Sequence, residues 1–147
     1  MPRKEVSIVI QRPLEEVFAY MDDVSHEPEW QPQLVEVEQT PPGPTRAGTR
    51  RRYVTEFLGK RLQNTYVVLG YEPNLRVVLQ TTPDSVLEAS SEIRWDEVDG
   101  GTRVTMILDG SVSGPLRFVP DALLEASFDK ELRSALARLK ERLEEGA

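Results

Sequence analysis

The sequence predicts an α+β domain in which an antiparallel sheet curls around one long C-terminal helix. Three observations lead to it. Asp121 to Glu145 carries Leu124, Phe128, Leu132, Leu136, Leu139 and Leu143 at steps of four and three, the spacing that lines one face of an α-helix. Gly48 to Ser113 reads almost entirely as strands separated by short turns of Gly, Pro, Asn and Asp. Such a sheet has one apolar face to cover, and only the terminal helix is long enough to cover it.

The elements follow in order. Val6, Ile8 and Ile10 alternate with Ser7 and Gln11, with Val9 breaking the pattern, and make a first strand ended by Arg12-Pro13. Pro13 suits the start of a helix, Glu15 and Glu16 suit its positive N-terminal end, and Leu14, Val17, Phe18 and Met21 give it an apolar face. Val24 to Gln33 holds two prolines and reads as a turn or one more helical turn. Leu34 to Thr40 alternates Val35 and Val37 with Glu36 and Glu38, and Pro41 to Pro44 is a stiff loop within the domain. Strands then cover Thr49–Leu58, Arg61–Tyr71, Leu75–Thr82, Val86–Glu97 and Thr102–Ser113. Gly59-Lys60 is a tight turn, and Asp99-Gly100 is the strongest hairpin signal, expected as a type I′ turn with positive φ at both central residues. In the last strand Val104, Met106, Leu108 and Val112 share the apolar face. The final helix has Asp121 as its N-cap and Gly146 just past its end, and 25 residues make it about 37 Å long. The order is one strand, two short helices, six successive strands forming a meander, and the long helix.

Composition narrows the function. A chain of 147 residues is read as one domain, 1–147. A formal net charge of −7 argues against nucleic acid and against docking on anionic membranes. The absence of cysteine excludes disulfides, thiol nucleophiles and Cys-based zinc sites, and a single histidine excludes an all-His metal site within one chain. No apolar run is long enough for a signal peptide or a membrane span, so a cytoplasmic location is expected. There is no glycine-rich phosphate loop, no H-E-x-x-H and no G-x-S-x-G, so no nucleotide, flavin, metal or other cofactor is expected.

The chain resembles the START-like (SRPBCC) superfamily, and within it the polyketide cyclase/dehydrase-type proteins. The resemblance rests on RPLEEVFAYMDD after the first strand, PEWQP with Trp30, Gly48-Thr49-Arg50, GYEPN from Gly70, DGGTRVT from Asp99 and ELRSALARLKERLE from Glu131. It covers essentially the whole chain and implies a helix-grip fold: a bent, seven-stranded antiparallel sheet wrapped on the C-terminal helix. It also implies a largely apolar cavity between sheet and helix that takes a small hydrophobic molecule. Some such proteins catalyse; others bind or carry.

Candidate residues follow from chemistry and strand parity. His26, beside Asp22, Asp23 and Glu27, is either a general base at the cavity mouth or a surface histidine among acids. Tyr53 and Tyr66 fall in neighbouring strands, and a buried tyrosine hydroxyl could stabilise an enolate. Arg51 shares the parity of Tyr53 and could pair with a ligand or with Glu92, and Asn64 shares the parity of Tyr66. Both alternating sets in Arg61–Tyr71 contain apolar residues, so parity alone leaves the inward face of these strands open. Arg46, Arg50, Arg51, Arg52 and Arg61 form a basic patch, read as a solvated face with salt bridges or as a site for a phosphate-bearing tail. The catalytic candidates are thus His26, Tyr66 and Arg51. The ligand-binding candidates are Trp30, Tyr53, Tyr66, Trp95, Met106, Leu124, Phe128 and Leu132; Trp95 reads equally as core, and the resemblance implies core packing first for Trp30. In the architecture that the resemblance implies, Phe118, Val119, Leu123 and Leu124 could rim the entrance together with Pro41–Pro44 and Pro83-Asp84. Three functions fit: binding of a small hydrophobic or aromatic ligand, an aromatic polyketide cyclase or dehydratase, and a lipid or quinone carrier, as a monomer or homodimer.

Overall fold

The computed structural model describes residues 3–112 and 118–145. Along the chain come β1 (Lys4–Ile10), α1 (Leu14–Asp22), a 3-10 turn (Val24–His26), α2 (Glu27–Trp30), β2 (Leu34–Thr40), β3 (Arg50–Phe57), β4 (Lys60–Glu72), β5 (Arg76–Thr81), β6 (Leu87–Val98), β7 (Gly101–Val112) and α3 (Asp121–Glu145). The seven strands form one antiparallel sheet in the order β1-β7-β6-β5-β4-β3-β2. The meander is closed on one side by β1, which returns to pair with β7 from Lys4↔Leu108 to Ile10↔Thr102. The element order is the expected one, and the sheet curled on the terminal helix is the helix-grip fold that the resemblance implies. The side chain of Val112, the strand end at Ser113 and the cap at Gly146 lie outside the described residues.

Two turns exchange the roles assigned to them from the sequence. At Asp99-Gly100 only the glycine has positive φ, +81°, so the hairpin is not type I′. The loop with two left-handed residues is Leu58-Gly59, at φ 51° and 78°, between Phe57 and its partner Lys60. Leucine pays a steric penalty there that asparagine or glycine would avoid. Asp121 is not the N-cap of α3 either. It is the first helical residue, and the carbonyl of Pro120 accepts from the N–H groups of Leu123 and Leu124.

Two β-bulges decide which side chains face inward. In β2 the register shifts between Leu34 and Glu36, which leaves Val35 exposed on an edge strand. In β4 it shifts between Val68 and Gly70, so Leu69 is the extra residue and lies exposed. Before the bulge the even residues Leu62, Asn64, Tyr66 and Val68 point inward. After it Tyr71, opposite the buried Val77, takes the inward side. Both alternating sets of this strand are therefore apolar in part, for a single local reason.

The interior has two ends. At one, Val6 and Ile10 of β1, Val17, Phe18 and Met21 of α1, Trp30 of α2, Trp95, Val104 and the C-terminal half of α3 (Ala135, Leu136, Leu139, Leu143) form one dense cluster. Phe18 meets Trp95 edge-on at 4.7 Å, and the Trp95 indole N–H donates to Met21 Sδ at 3.3 Å. At the other end two small clusters, Phe57–Leu62–Leu124 and Leu87–Ala89–Leu108, share Phe128 as a flanking residue. A cavity remains beside them.

Candidate functional site

The cavity has a volume of about 170 Å³ and lies between the inner face of the sheet, α2 and the N-terminal half of α3. Apolar side chains make most of its wall: Met21, Trp30, Phe57, Leu62, Val77, Leu79, Val86, Ile93, Trp95, Met106, Leu108, Phe128 and Leu132. The polar part of the wall comes from Asp22, Glu27, Gln31, Arg51, Tyr53, Asn64, Tyr66 and Glu131, with smaller contributions from Gln33, Thr55 and Ser91.

Strand parity builds the polar wall. Arg51, Tyr53, Thr55 and Phe57 alternate inward along β3 and face Tyr66, Asn64, Leu62 and Lys60 across the ladder, with Tyr66, Asn64 and Leu62 inward on β4. Helix α2 delivers Glu27 opposite them. Glu27 precedes Trp30 by three residues and Gln31 by four, so all three share a helical face, and Trp30 fixes that face as inward. Glu27 is 3% exposed. The Tyr53 hydroxyl donates to its Oε1 at 2.9 Å, the Gln31 amide donates to Oε2 at 2.6 Å, and an Arg51 nitrogen lies 3.9 Å from Oε1.

Arg51 is buried and held by several partners. Its Nε donates to Gln39 at 3.0 Å, and one terminal nitrogen donates to Thr45 Oγ1 at 2.9 Å and to Asp22 Oδ1 and the Asp22 carbonyl, each at 3.4 Å. Asp22 Oδ2 in turn accepts from the Tyr71 hydroxyl at 2.8 Å. Two carboxylates thus share one guanidinium, which is too little positive charge for both to ionise freely in a low dielectric. Burial dominates at Glu27 and pushes its carboxyl from an ordinary 4.5 up to about 7, against the pull of Arg51 and the Tyr53 hydrogen bond and with a further push from Asp22. Tyr53 is raised well above its ordinary value, first by burial and then by Glu27. Tyr66 is raised for the same two reasons and stays a neutral hydroxyl near neutrality. Across the cavity, on α3, burial pushes Glu131 up to about 7 with only Lys130 opposing.

Of the residues singled out from the sequence, Trp30, Arg51, Tyr53, Tyr66, Trp95, Met106, Phe128 and Leu132 come together around this cavity. Trp30 is both core and wall at 2% exposure, and its indole N–H is buried without a hydrogen-bond partner. Two candidates fall elsewhere. His26 does not line the cavity: its ring stacks on Tyr20 at 4.4 Å and its Nδ1 meets the Tyr20 carbonyl at 3.0 Å, because the 3-10 turn directs it to the outside of α1. Leu124 is 1% exposed but belongs to the cluster with Phe57 and Leu62 and is not a lining residue. The pairing of Arg51 with Glu92 does not form: Glu92 is bonded to Arg94, and Arg51 turns to α1 and α2. Nor is Arg51 part of a solvated basic face, although Arg52 with Glu36 and Arg61 with Glu56 do form surface pairs.

Glu27 and Glu131 were missed from the sequence. The signal for Glu27 was its helical spacing from Trp30. That for Glu131 was its place three residues after Phe128 and beside Leu132, at the edge of the apolar stripe. Among the described residues no group of three His, Cys, Asp or Glu side chains gathers as a metal site, and no helix is long and apolar enough to cross a membrane.

Known proteins place the chain. It superposes with a TM-score of 0.85 on a protein from Thermus thermophilus, at 19% identity over 99% of both chains. A START superfamily protein from Mycobacterium smegmatis gives 0.82 at 15% identity over 100% of both chains. An aromatase/cyclase from Streptomyces sp. R1128 gives 0.82 at 17% identity, covering 97% of this chain and 93% of that one. At these identities the likeness is one of fold. No curated protein matches the sequence significantly. The sequence model of one family, described as polyketide cyclase/dehydrase and lipid transport, matches residues 1–144, and the chain belongs to that family.

Proposed function

We propose that this protein binds a small hydrophobic or aromatic molecule in the sheet–helix cavity. The observation that carries the reading is the cavity itself: a largely apolar chamber of about 170 Å³ with a limited set of polar groups in its wall. Pockets for small molecules are built in this way, with apolar walls for affinity and a few placed polar groups for orientation. Its size sets a scale. An apolar protein cavity of about 150 Å³ takes benzene, so the space here suits one ring with modest substituents. A long poly-ketone chain would require the N-terminal half of α3 to move away.

Native mass spectrometry of the protein from its own host would name the ligand. Ser91 lines the cavity from the middle of β6, and Ser91→Phe would fill it. The expected result is a bound small molecule on the wild type and none on this variant. Equal occupancy in a folded Ser91→Phe protein would sink the cavity as the binding site.

One observation favours a second reading, a cyclase or dehydratase acting on the bound ligand. Glu27 is poised near 7, and Tyr53 links it by a hydrogen bond within the cavity wall. A carboxyl that holds and releases a proton near neutrality suits general acid–base work. On this reading Glu27→Gln keeps the ligand and abolishes its conversion. Full conversion by that variant would leave binding as the function.

A further inference from the structure

Most of the bonding capacity of the charged cluster of Asp22, Glu27 and Arg51 is used within the cluster and by its neighbours. Both oxygens of Glu27 accept hydrogen bonds, and Arg51 is shared among Gln39, Thr45 and Asp22. A ligand would have to break these bonds to use them. Besides the buried Trp30 indole N–H, polar groups with bonding capacity to spare lie on β4 and on α3. Asn64 is 9% exposed and its Oδ1 accepts from the Leu87 N–H at 2.8 Å, which fixes the amide and leaves its NH₂ without a partner among the described residues. Tyr66, two residues on and on the same face of β4, has a hydroxyl with no hydrogen-bond partner among the described residues. On the opposite wall the carboxyl of Glu131 has neither a hydrogen bond nor an ion pair among the described residues. Strand β4 therefore offers donors, and α3 offers an acceptor facing them. The hydroxyls of Thr55 and Ser91 can serve either sign and do not discriminate.

We propose that the cavity selects a one-ring ligand polar at both ends, with an acceptor oxygen held by Asn64 and Tyr66 and a hydroxyl or N–H group donated to Glu131. This rests on the binding reading above and sharpens it. A site built to hydrogen-bond a polar group rejects the analogue that lacks it, because its own buried groups are then left unpaired. Glu131 and the Asn64–Tyr66 pair are thus specificity-determining, while the apolar wall contributes affinity for any ring. Burial raises the carboxyl of Glu131 with only Lys130 opposing, and a hydrogen bond from a ligand hydroxyl or N–H would offset part of that desolvation.

The test is titration of the full chain, by calorimetry or by amide chemical shifts, with three probes. 4-Hydroxyacetophenone has both ends, acetophenone has only the acceptor, and ethylbenzene has neither. The expected affinity order is 4-hydroxyacetophenone, acetophenone, ethylbenzene, with each matched end contributing about three- to tenfold. Glu131→Leu should erase the advantage of the hydroxyl and leave acetophenone unchanged. Tyr66→Phe should weaken both ketones and leave ethylbenzene unchanged. Equal affinity for all three probes would overturn the two-ended selection while sparing the cavity. No binding of any probe would overturn both. A hydroxyl preference that survives Glu131→Leu would remove Glu131 from the assignment, and the ranking on the wild type needs no variant to fold.

Discussion

The two halves of α3 share a leucine periodicity and differ in what lies beneath most of it. In the C-terminal half Ala135, Leu136, Leu139 and Leu143 are buried at 3, 2, 0 and 8% exposure. That half is also tied down by polar contacts. Lys140 Nζ donates to the Val9 carbonyl at 2.8 Å, Arg12 Nε donates to the Leu143 carbonyl at 3.1 Å, and Arg138 Nε donates to the Glu29 carbonyl at 2.6 Å. The Gln11 N–H donates to Glu144 Oε2 at 2.8 Å. In the N-terminal half Phe128, Glu131 and Leu132 overhang a cavity, and the ion pair to the sheet is Lys4 with Asp129 at 4.0 Å. Helical spacing states that a face is apolar; what fills the space opposite depends on strands far away in sequence.

The largest test of this contrast is a matched pair of truncations. Leu136→Ala should cost about 2–5 kcal/mol, because it opens a void in a packed cluster. Leu132→Ala enlarges a space that already exists and should cost about 2 kcal/mol or less, with altered ligand affinity as its main effect. Denaturant unfolding of both variants decides, and equal losses would erase the distinction between the halves.

The second test is acidity at the cavity end. Glu27 holds its proton more tightly folded than unfolded, so the native state binds more protons between about 4.5 and 7. Stability from this group is therefore fully present below pH 4.5 and is lost as pH rises toward 7, by roughly 3 kcal/mol. Glu27→Gln should remove its share of that slope and leave the share of Glu131. An unchanged slope in the variant would mean that Glu27 is not the group responsible.

The smallest test concerns the turn that follows the cavity-lining Phe57. Leu58→Asn places a residue tolerant of positive φ at 51° and should raise stability by roughly 1 kcal/mol. A loss of stability would mean that the partly exposed Leu58 side chain makes contacts worth more than the backbone relief.

Much of this fold could be read directly. Element order, the α3 span and the inward phase of Ser91, Ile93 and Trp95 follow from alternation and spacing in the chain. The site was legible only in part. Arg51 and Tyr53 could be paired by parity, but whether they faced in or out depended on β4, where the bulge at Leu69 mixes the two faces. His26 drew attention by its chemistry, yet the short helix turned the neighbouring Glu27 inward instead. Neither carboxyl could be identified as buried from charge patterns, because acidic residues in a chain of net charge −7 are mostly solvated.

The extra residue at Leu69 also bears on how this cavity could be remodelled. It works as a phase shifter: upstream, Asn64 and Tyr66 look into the chamber; downstream, Tyr71 reaches the Asp22 carboxylate instead of solvent. Deleting one residue there would leave the composition of β4 almost untouched while sending one of these two groups to the outer face. In this strand the address of a side chain is set by counting, so length changes are a stronger lever on the cavity than substitutions of similar size.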